Sequence, residues 1–124
     1  MAETNPSKST TDQNMASLGL EEIVHITNKV GLDYVEAKKK ADHLTLLKSS
    51  TKAKVILRLD DGKLSEVKLT RLAEVDPEYL AFIEELTEAK KESDRLKVRY
   101  ESYKNLFEAK RSILSYQKAE MKLY

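Results

Sequence analysis

Residues 95–124 set cations among aromatic rings: Arg95, Lys97, Arg99, Lys104, Lys110, Arg111, Lys118 and Lys122 surround Tyr100, Tyr103, Phe107, Tyr116 and Tyr124. A cationic groove with stacking rings is the chemistry that holds single-stranded nucleic acid. A second basic run carries Lys38, Lys39, Lys40, Lys48, Lys52, Lys54 and Arg58 against Asp42 alone. Lysines at that density neutralise phosphates without reading bases, which gives a salt-sensitive, sequence-independent affinity. Both runs also suit a plainer role, as the solvated faces of long helices.

Other chemistry is sparse. His25 and His43 fall on separate expected elements, with no third ligand at metal spacing. Glu84 and Glu85 are adjacent, and neighbours on a helix do not share a face, so they are poorly placed as an acid and base pair. There is no cysteine, no glycine-rich phosphate loop and no nucleophile elbow. The expectation is a protein that is not an enzyme and carries neither metal nor cofactor.

The elements that must position these residues are helical. Of 124 residues, 35% are charged, and three Gly, two Pro and no Trp leave little to interrupt a helix. The net charge of +1 hides a segregation. Residues 1–36 sum to about −4, 37–59 to about +6, 60–94 to about −6 and 95–124 to about +5. Two basic blocks flanking an acidic one could form one positive surface in a folded hairpin, or each could pair with an acidic block of a neighbouring subunit. No run approaches the roughly 20 apolar residues that span a bilayer, and nothing resembles a signal peptide, so a cytoplasmic protein is expected.

Along the chain, residues 1–17 are polar and predict a disordered tail. A short helix is expected over about 20–30, stopped by Gly31, and a second over 33–59 with Asp33 as cap and Glu36 completing a capping box. Its seam is Tyr34, Ala37, Ala41, Leu44, Lys48, Thr51 and Val55. Asp61-Gly62 between alternating apolar residues also suits a β-hairpin over 54–70, against the favoured helix, turn and short helix over 64–74. Asp76, Pro77 and Glu78 then mark the start of a helix over about 77–122, roughly 65 to 70 Å long.

That last helix carries a stripe at alternating intervals of four and three: Phe82, Leu86, Leu96, Tyr100, Tyr103, Phe107, Leu114 and Met121, with small or polar members between. A partner running from Tyr34 to Leu59 covers only about half of it, so an oligomer seam is expected along the rest. The fold expected is all-α: a helical hairpin with a long coiled-coil-like C-terminal helix, assembled as a homo-oligomer.

The string "TKAKVILRLDDG", the "DPEY" helix start and the "AKRS" near the end together resemble the UvsY-type recombination mediators of tailed phages, over about residues 33–120. The resemblance implies single-stranded DNA binding, ring-like self-assembly, and loading of a recombinase onto DNA coated by a single-stranded-DNA-binding protein, in the host cytoplasm. The family's basic pair maps onto Arg58 and Ile56; the latter is not basic here, so Lys54 or Lys52 would have to serve in its place. The competing expectation is a coiled-coil adaptor or inhibitor that binds protein and no nucleic acid.

Overall fold

The computed structural model describes residues 18–123, and the tail expected over 1–17 lies outside the described residues. The described chain is all-helical: α1 spans Leu20–Leu59 (40 residues), α2 spans Glu66–Val75 (10 residues) and α3 spans Pro77–Leu123 (47 residues). It packs as two compact units. One joins the described residues up to Leu32 with those from Lys97 onward, and the other is Asp33–Leu96.

In the Asp33–Leu96 unit the seam of α1 meets that of α3 in antiparallel order. Ala41 and Leu44 bury against Leu86 and Ala89, with Phe82 packed alongside. Further along α1, Val55 is fully enclosed with Ala73 of α2 and Tyr79 of α3, flanked by Ile56, Leu59 and Ile83. Small residues at Ala41, Ala73 and Ala89 let the backbones approach. Lys48, expected in the seam, is exposed.

The connection from α1 to α2 is a turn, not a hairpin. Asp60 Oδ1 accepts from the Gly62 N–H and Asp61 Oδ1 from the Lys63 N–H, while Gly62 takes φ +78°, a conformation that costs glycine nothing. Ser65 caps α2 by accepting from Lys68 N–H, so that helix starts two residues later than expected. Asp76 closes α2 and opens α3: its Oδ1 accepts from Glu78 N–H at 3.0 Å and its carbonyl from Leu80 N–H.

The other unit holds the correction. The expected stop at Gly31 and the fresh start at Asp33 with Glu36 are absent, because α1 runs unbroken through all three positions. Gly31 serves close approach instead. A Cβ built there would meet Cε1 of Tyr100 at 3.0 Å and Cδ1 at 3.2 Å, so the missing side chain is what lets the ring lie on the helix. Hence α1 itself covers α3 beyond residue 96: Ile23, Val30 and Tyr103 are buried, and Tyr100, Leu106, Phe107 and Lys110 are half-buried. The expectation that half of the stripe lacks a partner within the chain fails for this reason. Gly31→Val is expected to destabilise by about 1–2 kcal/mol, since its γ-carbons crowd a ring already in contact; urea unfolding of the two proteins measures it.

Serines and threonines sit inside these helices by returning their hydroxyls to the backbone. Thr27, Thr45, Thr51, Thr87 and Ser102 each donate to the carbonyl four residues earlier.

Candidate functional site

The first basic run does not gather on one face. Lys38, Lys39 and Lys40 are consecutive, about 100° apart around α1, and so point in three directions. Lys38 reaches Asp42 at 3.1 Å and Lys39 reaches Glu36 at 3.9 Å. Lys40 shares a shallow groove of about 200 Å³ with Glu85, Glu88 and Glu92. Lys52 Nζ lies 2.8 Å from Glu74, and Arg58 lies 2.6 Å from Asp76 and 3.4 Å from Glu78.

These last contacts tie α1 to α2 and to the start of α3. The Asp76 side chain is only 9% exposed, and its bond from Arg58 holds the carboxyl below the usual range, with help from backbone N–H donors. The hydrogen bond to Asp76 in turn raises Arg58, and the bond between Lys52 and Glu74 raises the lysine and lowers the carboxylate. Of the seven basic residues in this run, Lys40, Lys48 and Lys54 are exposed and make no ion pair or hydrogen bond among the described residues. The acidic block that follows in sequence is thus the electrostatic neighbour of the basic block.

His25 and His43 are exposed, and among the described residues no three His, Asp or Glu side chains converge as a metal site would require. No helix of the described residues is long and apolar enough to cross a membrane.

The unit containing residues 97–123 offers a different arrangement. Lys110 Nζ donates to the carbonyl of Leu18, fixing the start of α1 against α3. Around that contact Leu18, Gly19, Leu20, Lys110, Ile113 and Leu114 line an apolar pocket of about 310 Å³. Past Lys110 every α3 side chain described is exposed, so the seam runs on through Leu114 (43% exposed) and Met121 (78%) without cover from the other described residues.

Beside those positions lies a column of cations. Lys97, Lys104, Arg111 and Lys118 recur every seven residues, and all four are exposed. Glu108 holds Arg111 at 2.8 Å; Lys97, Lys104 and Lys118 have no partner among the described residues. Arg99 lies over the Tyr103 ring at 6.0 Å, a cation–π contact within α3.

Of the stripe expected as an oligomer seam, Leu86, Leu96 and Tyr103 are buried, and Phe82, Tyr100 and Phe107 are half-buried by the chain's own helices; Leu114 and Met121 alone stand exposed. Tyr116 is also exposed, and Tyr124 lies outside the described residues. Sequence reasoning missed the pocket. Its signal was the unbroken spacing of Leu20, Ile23, Ile26, Val30, Tyr34 and Ala37, which carries one helical seam straight past Gly31. Comparison with protein-family models, characterised proteins and solved structures gives no match.

Proposed function

We propose that this chain is a protein-binding helical module that receives an amphipathic helix with acidic flanks along residues 110–122 of α3, in coiled-coil fashion. The observation that carries the reading is the continuation of the α3 seam beyond its cover, with Leu114 leading out of the apolar pocket and Met121 two turns further on. Arg111, Lys118 and Lys122 border that seam and Glu120 is the one acid among residues 111–122, so the fitting helix is negative beside its apolar stripe.

The test uses two designed amphipathic peptides with the same leucine seam, one flanked by Glu and one by Lys, titrated into the full chain by calorimetry. The acidic peptide is expected to bind and the basic one not to, and Leu114→Ser is expected to weaken binding by about tenfold or more. Equal binding of both peptides, or none of either, would refute the reading.

The cation column favours a second reading. Exposed Lys97, Lys104, Arg111 and Lys118, about 10.5 Å apart along α3, suit a phosphate backbone, with Tyr116 exposed as a stacking ring. In that reading the chain is a single-stranded DNA-binding homo-oligomer assisting a recombinase beside a single-stranded-DNA-binding protein, the role its resemblance implies. Fluorescence anisotropy with a labelled single-stranded oligonucleotide at low and moderate salt decides it. Binding that falls steeply with salt, and weakens in Lys104→Ala/Lys118→Ala, would support DNA; no binding at low salt would remove it.

A further inference from the structure

The face of α1 turned away from Ala41 and Leu44 carries a second stripe within the Asp33–Leu96 unit. Val35, Lys39, Asp42 and Leu46 follow at intervals of four, three and four residues and so share one side of the helix. All are open to solvent: Val35 is 46% exposed and Leu46 80%, and the side chains of Lys39 and Asp42 are 73% and 65% exposed.

The order of these four residues is self-complementary under one particular operation. Take two copies of α1 antiparallel, with the two-fold axis midway between positions 39 and 42. Lys39 then faces the partner's Asp42, and by symmetry the contact occurs twice. The same axis lays Val35 on the partner's Leu46, also twice. A parallel pairing would instead set lysine on lysine and aspartate on aspartate.

We propose that α1 pairs antiparallel with α1 of a second copy of this chain through Val35, Lys39, Asp42 and Leu46. The apolar pairs supply the attraction. The ionic pairs between them fix register and direction, the established use of polar residues inside a helical seam. The local pairs of Lys38 with Asp42 and Lys39 with Glu36 are exposed and intrahelical, and such pairs contribute too little to hold the side chains back from a partner. The surface shares no residue with the α3 seam, and the proposal does not rest on the binding of an acidic helix there.

Sedimentation equilibrium on the full chain, from about 10 µM to about 1 mM, tests this. The mass is expected to rise from the 14.2 kDa of one chain toward twice that value. Lys39→Asp sets carboxylate against carboxylate at both symmetric contacts and is expected to weaken association about tenfold or more. Adding Asp42→Lys in the same chain reverses both charges and is expected to restore association to within about threefold of the original. If Lys39→Asp lowers the helix content seen by circular dichroism, Asp42→Lys alone makes the same like-charge contact. A chain that stays single at about 1 mM leaves the face to a different partner and overturns the proposal. Association unchanged by Lys39→Asp, or not restored by the double exchange, overturns it equally.

Discussion

Ile23→Ala is expected to cost about 2–5 kcal/mol, the usual range for truncating an enclosed isoleucine. Against a total of about 5–15 kcal/mol for a domain of this size, that is a large share. Ile23 has no exposed surface, and it lies in the part of α1 held by the Lys110 contact and by the Tyr100 ring at Gly31. Val24, the next residue, is 42% exposed, so Val24→Ala on the same helix removes little packing and gains helix propensity. The pair therefore separates burial from helix formation. Chemical denaturation should show a fall with Ile23→Ala and a change of less than about 1 kcal/mol with Val24→Ala. Hydrogen exchange should locate the fall in residues 20–32 and 97–110, with residues 33–96 less affected, as expected when a substitution loosens one packed unit more than another. Equal effects of the two substitutions would show that the pairing of residues 20–32 with α3 contributes nothing.

That pairing is also where sequence and structure part. Glycine is a common helix stop, and Asp33 with Glu36 just after it is a good start signal, so two local rules agreed on a break. Both lose to packing. The seam residues Leu20, Ile23, Ile26 and Val30 keep their phase into Tyr34, Ala37 and Ala41, and a helix that remains in phase buries its stripe on α3 along both stretches. The cost of about 1 kcal/mol for a glycine inside a helix is offset by the aromatic contact its missing side chain permits. Elsewhere the local signals came closer, with the start of α2 displaced by two residues because Ser65 caps it. Asp76, Pro77 and Glu78 do open α3, and the favoured turn at Asp60 to Lys63 replaces the hairpin because the apolar residues of α1 continue in helical phase to Leu59.

Charge was the hardest part to read. Net charge per block carries no angle, and the angle decides whether neighbours in sequence act together. Lys38, Lys39 and Lys40 look like a patch in one dimension and are spread around a helix in three. The column of Lys97, Lys104, Arg111 and Lys118 looks unremarkable when read in order, yet its spacing of seven makes it one face. The self-complementary order on α1 is hidden for a further reason: its logic appears only when the helix is placed against its own reverse.

Arg58→Ala is expected to lower the melting temperature by roughly 5–10 °C at neutral pH, which makes Arg58 a structural residue before it is a candidate for contacting phosphate. Arg58 joins the end of α1 to Asp76, the carboxylate that caps α3, and to Glu78 in the first turn of that helix. Removing it leaves a mostly buried carboxylate with backbone donors alone. The pH dependence identifies the cause. Asp76 is held below its ordinary value, so its contribution is complete above the unfolded value near 4 and is lost as pH falls through the lower folded value. The difference between Arg58→Ala and the unaltered chain should therefore be full at pH 7 and shrink as the pH falls below about 4. Lys54→Ala, on an exposed lysine with no partner among the described residues, should leave the melting temperature unchanged at every pH. A constant gap across the acid range would show that Arg58 acts through its packed aliphatic stem and not through Asp76. Any loss of DNA affinity in an Arg58 variant must accordingly be measured below its melting transition, where Lys48→Ala/Lys54→Ala tests phosphate contact without loosening the corner.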